Sequence, residues 1–395
     1  MRIFMAVVSD LSSDARVRRE ASTLAASGHR VRVVGFDYQT RRATTRVIDG
    51  VHYRVLPFPP RGSARPRRLL GAVVFVARAS TAVVTARADA YHTHNLHLAV
   101  PCALAATLRR GRLVYDAHEL VVPMVRRRLR GLAIRYERAI WRRADAVVTT
   151  NDSRAKFLTR LHGGPRPVVV GNYPSQPLAI EPADLRGQLG ISDDHRILLY
   201  QGGLYVADRC FDVVATALRD LPDWEWVIVG FGSRHSTELL RDAARSAGVA
   251  DRVHLLPKVP LERLLDLTAG ADLGVIPLRR VHLNNYLGDT NKLFEYLMAG
   301  IPAVGSDFPE IRRALLDNPE GPVGAVFDPT DPVSITGAIK ELADGLSELK
   351  QRAWRVARRH YAWTQQGRKL VELYAALSAS RGRRGASPSV GPDAG

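Results

Sequence analysis

The feature that most constrains this chain is an alternation of strand-like and helix-like segments that runs, stops and starts again. RIFMAVV at residues 2–8 is a continuous apolar run, the pattern of a strand buried on both faces of a parallel sheet. A helical pattern covers about 14–27 and ends at Gly28, a residue suited to the C′ position of a helix. RVRVVG and VHYRVLPF supply further strands, and a long helix covers about 67–87. ADAYHTH, RLVYDAHE and DAVVTT continue the strands, with helices near 95–109 and 131–143, and PVVVGN closes this half near residue 172.

From Tyr173 to Asp194, three prolines and weak periodicity mark a linker. The alternation then restarts with RILLYQGG, the helical FDVVATALRD, WEWVIVGFG, RVHLL, DLGVIPL and PAVGSD. Such alternation specifies α/β architecture with parallel sheets. Its restart specifies two doubly wound domains with a cleft between them. The expected divisions are 1–172, 173–345, helices at 346–378 that cross back to the first domain, and a disordered polar tail at 379–395. Trp354, Tyr361, Trp363, Leu370 and Tyr374 are the expected apolar anchors of the terminal helices.

At 395 residues, 46% of them hydrophobic, the chain is long enough for two cores. Its two cysteines, Cys102 and Cys210, make no disulfide framework, and no Cys/His group has zinc spacing. The expected compartment is reducing and cytoplasmic. MRIFMAVVSD has neither the basic start nor the cleavage site of a secretory signal. The longest apolar stretch, 69–86, is interrupted by Arg78, Ser80, Thr81 and Thr85, and reads as a buried or surface-lying helix rather than a membrane span. The net charge of +18, from 57 basic and 39 acidic residues, favours anionic partners. Arginine-favouring coding bias accounts for it equally well.

In open α/β sheets, ligands bind beyond the carboxyl ends of the strands, where helix N-termini present N–H groups and partial positive charge. QGGLYVADR, GFGS and LNNYLGDTNK occupy such places. Their glycines allow close backbone approach to phosphate, Arg209 and Lys292 add charge, and Glu295 is placed to accept from two ribose hydroxyls. Leu293, Phe294, Leu297 and Met298 anchor the same helix. Singly, GFG is a common turn, Arg209 a surface cation, and Lys292 with Glu295 an i,i+3 pair. Together, in this order, they specify a nucleotide diphosphate site.

NNYLGDTNKLFEYLMAGIPAVGSDFPE resembles the signature of the retaining glycosyltransferases of family 4, with the GT-B fold. YQGGLYVADRCFDVVATAL, WEWVIVGFG, SDARVRREASTLAASGHRVRVVG, YHTHNLHLAV and LVYDAHEL fit the same family, so the likeness covers about residues 1–375. It implies a catalytic group of His118, Arg209 and Lys292, with Arg209 and Lys292 on the diphosphate and His118 reaching the donor sugar. It implies donor binding by Gly203, Gly232, Lys258, Asn285, Thr290, Asn291 and Glu295. Ser12, Ser13, Arg16 and His94 would lie on the acceptor side. The implied reaction retains the anomeric configuration and needs no metal or cofactor beyond the nucleotide sugar. The expected acceptor is a small molecule or a lipid-linked sugar, in glycolipid, polysaccharide or glycosylated-metabolite synthesis. Two positions depart from the family pattern. Leu287 stands where many members have a first glutamate, and SDLSSDAR replaces a Gly-Gly loop.

Other readings stay open. HTHNLH at 92–97 places His92 and His94 on one strand face, a metal-ligand arrangement without a clear third or fourth ligand in the sequence. Residues 124–143 carry eight arginines and one glutamate with an apolar stripe of Leu129, Leu132, Ala133, Tyr136 and Ile140. That is either a solvated basic face or a helix docking on an anionic membrane surface, which would place the protein peripherally at the inner face of the cell membrane. No nucleic-acid-binding motif accompanies it. Against the enzyme stand a catalytically inactive nucleotide-sugar or anion-binding protein of the same fold, and a GT-B sugar epimerase.

Overall fold

The computed structural model describes residues 1–60 and 63–383. The chain divides into two compact units. The first holds Met1–Thr150, Ala155–Val170 and the residues from Gln365 onward; the second holds Asn151–Arg154 and Gly171–Thr364. The last helix therefore groups with the first unit from Gln365. It runs to Arg383, five residues past the end read from the sequence. The rest of the expected disordered tail, from residue 384, lies outside the described residues.

The first unit is built on eight strands: β1 (Arg2–Asp10), β2 (Arg30–Asp37), β3 (Thr44–Ile48), β4 (Val51–Pro57), β5 (Ala90–His94), β6 (Arg112–Asp116), β7 (Ala146–Thr149) and β8 (Val168–Val169). Their spatial order is β3-β4-β2-β1-β5-β6-β7-β8. All neighbours are parallel except β3 and β4. The apolar run of β1 is buried because it sits inside the sheet between β2 and β5. β3 is a strand beyond those expected from the sequence: its five residues are all exposed, and an edge strand has no buried face to impose a pattern. It is joined to β4 by Asp49 and Gly50 at φ 49° and 74°, the positive dihedrals of a tight hairpin turn.

Asp14 opens the first helix, Ala15–Ala26, by accepting from the Val17 N–H at 3.1 Å. The Arg65–Thr85 and Ala99–Leu108 helices pack together on one sheet face, burying Phe75, Ala79 and Cys102 against Phe4, Phe36 and Tyr91. Burial of a side chain such as Phe75 is worth about 1.5–3 kcal/mol. Residues 124–143 do not form one helix. A short helix ends at Met124, a 3₁₀ turn covers Arg127–Leu129, and the main helix is Arg130–Arg143.

The second unit has β9 (Arg196–Gly203), β10 (Trp224–Phe231), β11 (Val253–Pro257), β12 (Leu273–Ile276), β13 (Ala303–Ser306) and β14 (Gly324–Phe327). They are arranged β11-β10-β9-β12-β13-β14, all parallel. Both sheets thus carry the doubly wound pattern, with the order reversing between β1 and β5 and between β9 and β12. Ligand crevices of open α/β sheets form at such reversals. The proline-rich linker includes one short helix, Leu185–Leu189, capped by Asp184 and closed by Gly190 at φ 68°. The terminal helical stretch breaks into Leu346–His360 and Trp363–Arg383. Trp354, expected as an anchor, is instead exposed, with the Arg358 guanidinium 4.1 Å over its ring.

Candidate functional site

In the second unit, the reversal between β9 and β12 collects the predicted phosphate residues. Gly202, the last residue but one of β9, adopts φ 130°, a dihedral that favours glycine. A Cβ there would stand 3.4 Å from Lys292 Cε. Tyr200, two residues earlier, is the floor of the group. Its hydroxyl accepts from Arg209 Nε at 3.3 Å, and Lys292 Nζ lies 5.3 Å from its ring centroid.

Lys292 occupies the first turn of the Asn291–Met298 helix and is only 7% exposed. Its ammonium donates to Thr290 Oγ1 at 3.1 Å. Among the described residues neither Lys292 nor Arg209 has a carboxylate within ion-pair distance. Burial, then the nearby Arg209 charge, lowers the Lys292 ammonium to about 7, with Glu295 opposing. The Arg209 loop is held by Arg279, whose Nε donates to Arg209 O at 3.1 Å and whose Nη2 pairs with Asp212.

Glu295 lies one turn along the helix, half buried, and its Oε2 accepts from Gln201 Nε2 at 2.6 Å. Gln201 Oε1 in turn accepts from the Thr268 hydroxyl at 2.8 Å. Neither Gln201 nor Tyr200 stands out in the sequence, although both lie inside YQGG. Strand residues read as core unless a polar partner is visible, and the side-chain partners of Gln201 lie 67 and 94 positions away.

The other donor-side residues vary. Thr290 is the N-cap residue, with no side-chain cap bond. Asn291 is exposed and its Oδ1 accepts from Asn172. Asn285 uses its side-chain amide on Arg279 O at 3.3 Å. Lys258 is exposed, with its ammonium 5.6 Å over the Phe231 ring. In GFG, a Cβ on Gly230 would meet Gly202 O at 1.9 Å and one on Gly232 would meet Leu204 Cβ at 2.7 Å, so packing alone requires these glycines. Gly203 likewise lies against the Tyr205 ring, 2.3 Å from a Cβ.

In the first unit, the reversal between β1 and β5 holds a buried charge cluster. Arg16 was expected to face an acceptor. Instead it is 4% exposed, with Nε 2.9 Å from both Asp116 Oδ2 and Glu20 Oε1 and Nη1 donating to Val170 O. His94, also expected on the acceptor side, is buried, with Nδ1 3.0 Å from Asp116 Oδ2. It stacks on His92 at 4.5 Å between ring centroids. These side chains are inward because β5 is buried along its whole length and Arg16 lies with Val17, Glu20, Ala21 and Leu24 on the buried face of the first helix. Ser12 and Ser13 are exposed, and the Ser12 hydroxyl donates to Asp10 at 2.6 Å.

His118, half buried, has both ring nitrogens engaged. Nδ1 lies 3.2 Å from Asp116 Oδ2 and Nε2 lies 3.0 Å from Asn95 Nδ2. The Asn95 Oδ1 accepts from the Glu119 N–H, so its amide nitrogen is the group turned to the imidazole. Asn95 adopts φ 61° to do so. Burial would raise the Asp116 carboxyl, but Arg16, His118 and His94 together hold it well below the usual range. Burial pushes Glu20 up to about 8 despite Arg16, and lowers His92 and His94.

Glu20, His92, His94 and Asp116 bring ligand atoms within 4.8 Å of one another. The sequence showed only the two histidines; the carboxylates come from elsewhere in the chain. Two imidazoles and two carboxylates are a donor set that suits a transition metal. Here the Arg16 guanidinium stands between the carboxylates and supplies the positive charge.

The two halves match separate family models. Residues 13–173 match the glycosyl transferase 4-like domain and residues 195–345 match the glycosyl transferases group 1. The chain belongs to the family 4, or group 1, glycosyltransferases of the GT-B fold.

Among curated relatives of this group 1 chain, the D-inositol 3-phosphate glycosyltransferase of Xylanimonas cellulosilytica is 26% identical over 255 residues, covering 61% of this chain and 59% of the relative. That of Thermobispora bispora is 28% identical over 249 residues, covering 58% and 56%. The match thus spans little more than half of these relatives. Sucrose-phosphate synthase from Thermosynechococcus elongatus superposes with a TM-score of 0.78 at 18% identity, over 96% of this chain and all of that one. Anabaena HepE in complex with UDP and glucose gives 0.71 at 16% identity, over 95% and 100%.

Proposed function

We propose that this chain transfers a sugar from a nucleotide diphosphate donor to an acceptor hydroxyl with retention at the anomeric carbon. The observation that carries this is the pair Arg209 and Lys292, set on one tyrosine with no carboxylate partner among the described residues. Two such cations beside a positive-φ glycine suit a diphosphate, and Glu295 held by Gln201 suits the ribose hydroxyls. In the proposed reaction the bond from the anomeric carbon to the donor phosphate oxygen breaks. The acceptor oxygen bonds to the same face of the sugar, and its proton passes to the departing phosphate oxygen. Arg209, Lys292 and the helix N-terminus stabilise the charge that develops on the diphosphate. No step is assigned to a metal.

UDP is the first nucleotide to test, because a neighbour of the same fold is described with UDP and glucose. A phosphorylated polyol is the first acceptor class, because the relatives act on D-inositol 3-phosphate by name. The test is thermal melting against UDP, GDP, ADP and TDP. A ligand at about 100 times its dissociation constant adds about 2.7 kcal/mol. Turnover of the matching sugar donors follows, with the anomeric configuration of the product read by NMR. A selective shift with turnover and retention is the expected result. A shift without turnover for any donor favours the non-catalytic binding reading, for which Leu287 in the usual glutamate position is the supporting observation. No shift with any nucleotide overturns the donor-site assignment.

A further inference from the structure

The Arg65–Thr85 helix is long and apolar enough to cross a membrane by length and composition, yet it is a layer of the first unit. Phe75, Ala79, Ala82 and Val83 face the sheet and are buried. The opposite side keeps large apolar side chains in solvent: Leu69, Leu70 and Val73 are 61, 65 and 66% exposed. The pattern continues outward. The Ala99–Leu108 helix packs beside it, and the Arg130–Arg143 helix packs beside that. They expose Leu104, Leu108 and Leu132. Isolated exposed leucines need no explanation, but a run of them over three adjacent helices does.

The charge around this face has one sign. Arg65, Arg67 and Arg68 precede Leu69, and Arg78 follows Val74 on an exposed position. The Ala99–Leu108 helix has no charged residue and is followed by Arg109 and Arg110. Arg126, Arg127, Arg128, Arg130 and Arg135 flank Leu129 and Leu132. No aspartate or glutamate occurs in any of these segments; the first acidic residue of the third helix is Glu137, which is buried. Arginines in the first turn of a helix oppose its dipole. Three of them without an acidic neighbour suit a surface that meets external negative charge.

We propose that the outer face of these three helices docks on an anionic lipid surface, with Leu69, Leu70 and Val73 entering the acyl boundary and the flanking arginines meeting phosphate headgroups. A second copy of the chain fits this face poorly, because self-pairing would set arginine against arginine. A lipid surface satisfies both features at once: apolar side chains leave water and arginines gain anions. The site differs from the arginine-rich 124–143 segment read from the sequence. Its centre is the 65–85 helix, and the 130–143 helix forms one border. The proposal does not rest on the transferase reading.

The test uses the full chain and floated vesicles, either phosphatidylcholine alone or phosphatidylcholine with phosphatidylglycerol. The expected result is binding to the anionic vesicles that weakens with salt. It should fall at least about tenfold in the Leu69→Ser, Leu70→Ser, Val73→Ser variant and in the Arg67→Glu, Arg68→Glu variant. Val333→Ser, at an exposed position of the second unit, should bind like the parent. Melting temperature and nucleotide response report that each variant is folded, because all these side chains are exposed. Absence of binding to anionic vesicles overturns the proposal. So does equal binding by the triple-serine variant, which would leave only non-specific attraction to the chain's net charge. Lipid-independent self-association that the triple variant abolishes would overturn it in favour of a contact between copies.

Discussion

Gln201 Nε2 lies 2.6 Å from Glu295 Oε2, so a residue at the end of β9 aims a carboxylate on a helix 94 positions later. A hydrogen bond to a charged group is worth about 1.5–3 kcal/mol. Gln201→Leu should therefore raise the donor KM by roughly tenfold or more and leave kcat less affected. Glu295→Ala should do at least as much. Steady-state kinetics with varied donor check this, and unchanged KM in both variants would remove Glu295 from the donor site.

Replacing Lys292 by Met or Arg209 by Ala removes charge stabilisation that grows as the leaving group departs. Each should lower kcat by roughly 100-fold or more. Neither should lower the melting temperature much in the absence of nucleotide. Lys292→Met should raise it, because a buried cation without a carboxylate partner is costly. Single-turnover rates and melting curves give the two readouts.

The Lys292 ammonium is lowered to about 7 by burial and by Arg209, so above that pH the site is short of a proton. A bound diphosphate favours the charged form. Nucleotide binding should then take up a proton, and affinity should fall up to about tenfold per pH unit above about 7. The same depressed value means that the cost of charging Lys292 in its buried site grows as pH falls from the ordinary lysine range toward about 7. Lys292→Arg should bind with little pH dependence over this range. Calorimetry of UDP binding in two buffers of different ionisation enthalpy measures the uptake.

Asp116 joins Arg16, His94 and His118. Asp116→Asn keeps the shape and takes the ionised carboxylate away from the buried Arg16 guanidinium. Loss of one partner from a buried pair costs about 3–5 kcal/mol, measurable by urea unfolding. The variant should also leave His118 without the anion that orients it.

Glu20 is raised to about 8 by burial. Its contribution to stability is present at acid pH and is lost as pH rises through about 8. The low Asp116 value acts in a different window, since its contribution is lost only as pH falls well below the usual carboxylate range. Glu20→Gln stays neutral and should flatten the decline of melting temperature toward alkaline pH, by several degrees. Melting curves across pH check this; parallel profiles for parent and variant would show that Glu20 does not titrate there.

The doubly wound architecture was legible because buried parallel strands such as RIFMAVV and RILLYQGG are apolar throughout and their helices are periodic. Arg209, Lys292 and Glu295 were legible because helix starts and strand ends fix local positions within a few residues. β3 was not legible, since an exposed edge strand carries no burial pattern. Leu287 was visible as a departure, but not the use of its carbonyl by Asn151 Nδ2 at 3.1 Å.

By itself, then, the sequence determined which segments become strands and helices, and which polar residues stand at strand ends. Those follow from local periodicity and turn chemistry. Tertiary structure decided that Arg16 and His94 are buried counterparts of Asp116, and that Gln201 steers Glu295. It also decided which side of the 65–85 helix meets water. Such pairings join positions up to a hundred residues apart, and only the packing of helices on the sheets sets which partners a buried charge will find.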